Sequence, residues 1–222
     1  MNLVPKIEDF LISRPDDSRA EGCFHPSELS KCPRIIYESF LKLIPKEEKV
    51  PAVERIFDNG KDVHARIQGY LKSCGVLLNS EVELYDEEFG ICGSADGIIE
   101  LGGVLGVVEI KSINLNQFIT LFTPKKAHIE QLNIYMYCLM QCYPVDVTKY
   151  KSDQFNNLDW GIILYECKDN QRMKEFFISY DHSIMSSILA KIDYVRACIL
   201  ANQIPPKIDH EDCRWCKKTD CF

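Results

Sequence analysis

The chain has 222 residues, 46% of them hydrophobic and 27% charged, a balance that supports a packed core and excludes wholesale disorder. Its net charge of −7 excludes a protein that coats nucleic acid with a broad basic surface, while leaving room for a local contact. No apolar run approaches the roughly 18–20 residues of a membrane helix. The start MNLVPKIEDFLIS, broken by Lys6, Glu8 and Asp9, lacks a signal-peptide pattern, so an intracellular protein with no membrane partner is expected.

In chain order, residues 5–13 are expected to form a short helix. Ser27, with Ser30 as the alternative, reads as the N-cap of a helical run through IIYESFLKL. Residues 43–51 form a loop bounded by prolines, and a long helix follows over about 52–73. There Val53, Ile56, Phe57, Gly60, Val63, Ile67 and Leu71 recur at three and four residues as a buried stripe, with His64 on or beside it and Gly75 as a stop signal. Strands are expected at 80–86, 91–101 and 104–112, the last two joined through the two-residue turn Gly102-Gly103. A helix over about 125–142, strands at 159–167 and 173–180, and a helix over about 182–202 ended by Pro205-Pro206 complete the set. The tail DHEDCRWCKKTDCF has too little apolar periodicity for a helix. This order predicts one α/β domain over 1–222, with a mixed central sheet flanked by helices and a core at about 52–180.

The stretch ICGSADGIIELGGVLGVVEIKS carries the chemistry. With the turn at Gly102-Gly103, Asp96 falls opposite Glu109, and Lys111 points to the same face two residues on. Two facing carboxylates repel unless a cation lies between them, and Mg²⁺ takes one or two carboxylates plus water and phosphate oxygens. Such an ion would polarise a phosphate and lower the pKa of an attacking water, with Lys111 stabilising developing charge. The bland alternative is an outer sheet face carrying solvated acids. Against it, Val107, Val108 and Ile110 make the Glu109 strand apolar on both sides, and Gly93, Ser94, Ala95 and Gly97 leave space around Asp96. Gln131 and Tyr135, at i and i+4, share one face of the following helix.

The eleven cysteines are expected to be thiols or metal ligands rather than disulfides in a reducing compartment. Cys213, Cys216 and Cys221 place three thiolates within nine residues, one short of a tetrahedral site. Cys32 is the best fourth ligand and Cys23 the second, whereas Cys74, Cys92, Cys138, Cys142, Cys167 and Cys198 read as packing residues. Four thiolates suit structural zinc or an iron–sulfur cluster, and His210 gives zinc a further option.

Gly93-Ser94-Ala95-Asp96, then Val108-Glu109-Ile110-Lys111, then Gln131-x-x-x-Tyr135, with His64 upstream, resembles the RecB-like PD-(D/E)XK nuclease signature across roughly residues 60–140. The resemblance implies that His64, Asp96, Glu109 and the backbone carbonyl of Ile110 bind Mg²⁺ or Mn²⁺. It also implies that Lys111 is the catalytic lysine and that Gln131 and Tyr135 orient DNA or that lysine. Glu81 or Glu83 is a further candidate, and the residues do not choose between them. One cysteine before these motifs and a C-x2-C-x4-C group after them is similar to the Cas-four (CRISPR-associated) exonucleases and AddB-like helicase–nucleases, which implies a 4Fe–4S cluster on Cys32, Cys213, Cys216 and Cys221. Segments 23–42 and 203–222 would hold it. With no GxxxxGK(S/T) pattern for a motor, the chain resembles the stand-alone Cas-four type, virus-encoded relatives included.

The activity so implied is a metal-dependent exonuclease on single-stranded DNA ends, 5′→3′. The alternatives are a structure-specific endonuclease or CRISPR-adaptation trimming subunit, and, in another class, a non-cleaving DNA-binding or interaction subunit. A homo-oligomer or an integrase-type protein partner is compatible with this reading. Lys125, Lys126 and Arg66 are candidate DNA contacts.

Overall fold

The computed structural model describes residues 2–15, 20–45, 47–141 and 158–206. Helices α1 (Leu3–Ser13), α2 (Pro33–Phe40) and α3 (Pro51–Ser73) precede strands β1 (Leu77–Asp86), β2 (Ile91–Leu101) and β3 (Val104–Ile113). Then come α4 (Leu115–Thr120), α5 (Lys126–Gln141), β4 (Trp160–Cys167), β5 (Met173–Ser179) and α6 (His182–Leu200). The strands form one mixed sheet in the order β1-β2-β3-β4-β5. Neighbours are antiparallel except β3 and β4, which run parallel.

The hairpin forms as the turn residues dictate. Gly102 and Gly103 both have positive φ, 62° and 81°, the conformation that a type I′ turn demands and glycine adopts without a Cβ clash. From that turn the β2–β3 ladder is in register from Leu101↔Val104 to Gly97↔Val108. β3 lies third of five, as an apolar run on both faces requires. Its Val107 packs in the larger core with Leu132, Ile134, Met136 and Leu139 of α5. Its Val108 and Ile110 pack on the other side with Val63 and Ile67 of α3 and Leu164 of β4.

Four expectations change. Ser27 and Ser30 cap no helix: α2 begins at Pro33, with Cys32 as its N-cap. Proline presets the first helical φ and pushes the residue before it to extended backbone, and Cys32 is extended at ψ 152°. The stripe of α3 is buried only at Val63 and Ile67, while Val53, Ile56 and Phe57 are exposed. Those first turns lie beside α1, where Arg14 forks to Asp58 and Glu54. Helix α4, with Asn114 capping the N–H of Gln117, is six residues long, too short to show a period in sequence.

Finally, Cys23 and Cys92 form a disulfide rather than a spare metal ligand and a packing thiol. Phe24 makes a parallel bridge to Ile91, with Phe24 N–H donating to the Gly90 carbonyl and Cys92 N–H to the Phe24 carbonyl. This pairing brings the two cysteines to a Cα separation of 5.8 Å, within bonding reach. Cys138, Cys167 and Cys198 are buried as expected, and Cys74 is exposed at the end of α3.

Candidate active site

Asp96 sits where β2 parts from β3. The ladder stops one pair short of Asp96 and Glu109, so the two are not a regular cross-strand pair as the hairpin alone suggests. Instead the Asp96 carboxylate takes over the ladder's role: its Oδ2 accepts the Ile110 N–H at 2.6 Å. In a strand the N–H and C=O of one residue point to the same side, so the Ile110 carbonyl faces the Asp96 edge too. The other oxygen, Oδ1, lies 3.1 Å from His64 Nδ1, reaching down from α3. One turn further along α3, Gln68 donates to the Asp96 carbonyl at 2.9 Å and to Glu81 Oε1 at 2.7 Å.

That settles which strand β1 acid joins the cluster. His64, Glu81 and Asp96 each offer a ligand atom within 4.8 Å of the others, a set able to hold a metal ion. Glu81 has a left-handed φ of 49°, at the point where the β1–β2 ladder skips from Ser80↔Gly97 to Val82↔Ala95. Glu83 instead lines a cavity on the neighbouring surface. Gln68 was not foreseen; its signal was the i, i+4 spacing from His64.

Across the strand, Glu109 is only 2% exposed. Its Oε1 pairs with Lys111 Nζ at 2.5 Å, while its Oε2 is buried with no hydrogen-bond partner among the described residues. Lys111 also donates to Gln131 Oε1 at 3.0 Å, and Gln131 Nε2 donates to the Tyr135 hydroxyl at 2.7 Å. The polar pair on α5 thus forms a relay that ends on the lysine. Another unforeseen neighbour is His128, one turn before Gln131, with its Nδ1 2.7 Å from the Tyr165 hydroxyl.

The electrostatics follow from this crowding. Burial, then the charge of Asp96, pushes the Glu109 carboxyl up to about 8 against the pull of Lys111. Burial alone would lower His64, but its hydrogen bond to Asp96 and the charges of Asp96 and Glu109 outweigh it and leave it raised. His128 is pushed down to about 3 by burial, helped by Lys111 and Lys125, so it is a neutral ring. Tyr135 is raised well above its usual value, first by burial and then by Glu109, and stays a hydroxyl. The surplus of buried acid, with one orphaned carboxylate oxygen, fits a divalent cation.

The other expected sites divide. Cys32 is buried at the start of α2, beneath α6, whose Lys191 donates to the Leu29 carbonyl at 2.8 Å. Cys213, Cys216, Cys221 and His210 lie outside the described residues. Arg66 forks to the buried Glu166 at 2.8 and 3.0 Å, which makes it a clamp between α3 and β4. No helix among the described residues is long and apolar enough to cross a membrane.

No protein-family model and no curated protein matches the sequence. Solved structures do. The crystallised protein SSO0001 superposes with a TM-score of 0.55 at 21% identity, over 97% of this chain and 93% of that one. The alkaline exonuclease LHK-Exo from Laribacter hongkongensis superposes with a TM-score of 0.55 at 15% identity, over 89% and 93% of the two chains. LHK-Exo in complex with dAMP gives 0.55 at 19%, over 82% and 89%. At such identities the likeness concerns the fold. The mixed five-stranded sheet flanked by helices is an α/β fold of the PD-(D/E)XK nuclease-like kind.

Proposed function

We propose that the chain is a divalent-metal-dependent DNA nuclease, and more finely an exonuclease acting 5′→3′ on single-stranded ends. The observation that carries this is Glu109: a buried carboxylate with an oxygen unsatisfied among the described residues, held against Lys111 and close enough to Asp96 to feel its charge. The likeness to an alkaline exonuclease supports the same reading.

Asp96, Glu109, His64 and the Ile110 carbonyl would hold Mg²⁺ or Mn²⁺, with Glu81 alongside. When bound, such an ion polarises the scissile phosphate and acidifies a water. The chain's own residues do the rest. Lys111, tethered by Glu109 and Gln131, offers its ammonium to the attacking water and to the charge that builds on the phosphate. Gln131 fixes the lysine and is itself fixed by Tyr135, so both act as positioning residues. Neutral His128 beside Lys111 adds no competing positive charge.

The reading extends to a cluster, 4Fe–4S or structural zinc, held by Cys32, Cys213, Cys216 and Cys221. Its support is the buried position of Cys32 and the packing of α2 on α6, which brings N- and C-terminal helices together.

Labelled linear single-stranded DNA, with Mn²⁺ or EDTA, tests the activity. Wild type should degrade it only with metal, and Glu109→Ala should not. Degradation by the variant at the wild-type rate would sink the proposal. Cutting of circular single strands would convert the exonuclease into an endonuclease.

A further inference from the structure

A cavity of about 540 Å³ opens beside the lysine relay, and none of the roles assigned above uses it. Tyr135 is the wall it shares with the site: the hydroxyl that accepts from Gln131 belongs to a ring that lines the cavity. Ser94, two residues before Asp96 on β2, lines it as well. We propose that this cavity receives the base of the nucleotide next to the scissile phosphate, unstacked from its neighbours. The proposal rests on the nuclease reading and adds to it a base subsite.

Chemistry selects a base over a phosphate. Among the described residues no lysine or arginine lines it, and Glu83 on the wall would repel an anion. The exposed aromatic ring of the wall is Tyr85, 56% exposed, and Pro26 on the loop after α1 lines the same cavity. Aromatic faces of this kind stack any base, without needing its sequence. The polar groups of the wall include Ser94 and Glu83. Ser94 Oγ is buried with no hydrogen-bond partner among the described residues, and Glu83 is a wall group that can accept from an exocyclic amine. The volume lies within the roughly 300–1,000 Å³ of small-ligand pockets.

The pocket is also built in advance. The loop wall is tied to β2 by the Phe24–Ile91 bridge and the Cys23–Cys92 disulfide. Both ring nitrogens of His25 face backbone carbonyls, those of Cys92 at 3.2 Å and Ala20 at 3.1 Å. Gly93 lets this wall close in: a Cβ there would meet the Pro26 ring at 2.9 Å and Tyr135 at 3.5 Å. A preformed wall spends little ordering entropy on its ligand.

The test uses the full chain with Mn²⁺ on three substrates: a single-stranded oligonucleotide, the same strand with an abasic terminal nucleotide, and bis(p-nitrophenyl) phosphate. Wild type should prefer the base-bearing end by about tenfold in kcat/KM, the scale of one stacked base. Tyr85→Ala and Tyr85→Leu, which both remove the stacking ring, should each bring that preference towards unity while cleaving the small diester as wild type does. A wild type that cleaves both DNA ends equally, or variants that keep the preference, would overturn the base subsite and leave the nuclease standing. A wild type that cleaves none of the three overturns both.

Discussion

Glu109 holds its carboxyl group in the interior, between the carboxylate of Asp96 and the ammonium of Lys111. Because burial raises its pKa to about 8, the metal-free fold favours the protonated form. The unfolded chain ionises near the ordinary carboxylate value, so stability present at low pH is lost as pH rises through about 8. His64, also raised, pushes in the same direction. The melting temperature in EDTA should therefore fall between pH 5 and pH 8.5, and Mn²⁺ should restore it, since a metal binds only the deprotonated ligands. A Glu109→Gln variant should flatten the profile and lose the Mn²⁺ response; a profile as steep as wild type's would refute this account. Lys111 is separable from the ligands. Lys111→Ala should lower kcat by about 10²–10³-fold while Mn²⁺ affinity, read by calorimetry, stays near wild type.

At the scale of elements, the site depends on two devices that hold strands and helices in place. The first is the Gly102-Gly103 turn, which sets the hairpin register. Gly102→Val would force a β-branched residue into left-handed backbone, at a cost of about 1–2 kcal/mol seen in denaturant unfolding. The second is the Arg66–Glu166 fork, which clamps α3 to the sheet and so aims His64 and Gln68 at Asp96. Arg66→Ala leaves Glu166, 1% exposed, without its partner. It should cost about 1–3 kcal/mol in stability and weaken Mn²⁺ binding as His64 drifts; unchanged Mn²⁺ affinity would show that α3 needs no clamp. Much at this scale was legible in sequence. The hairpin, the long helix and the last helix stand near their expected bounds, because Gly-Gly turns and long apolar periods are local signals. The start of α2 and the whole of α4 were not, because one depends on a proline's backbone preference and the other on a single buried anchor, Phe118.

For the whole molecule, the proposed cysteine cluster predicts that protein purified without oxygen carries about four iron atoms per chain and a broad visible absorbance, both lost in Cys32→Ala. One zinc and no colour would choose the structural-zinc form, and neither metal would remove the staple. The exposed side chains of Leu3, Val4, Ile7 and Phe10 on α1 contrast with a core organised around β3 and α5, so the weight of stability lies in the sheet. The sequence by itself determined the chemistry available: an aspartate and an E-x-K on a glycine-turned hairpin, a Gln-x-x-x-Tyr helix, and a central strand apolar on both faces. Those follow from periods of two and 3.6 residues, which need no knowledge of distant neighbours. Tertiary structure alone decided the rest. It showed that Asp96 leaves the ladder to bind the Ile110 N–H, that Glu81 rather than Glu83 meets His64, and that Cys23 pairs with Cys92. It also placed Gln131 on Lys111. Each depends on where one element ends against another, and burial then sets which charges need a partner.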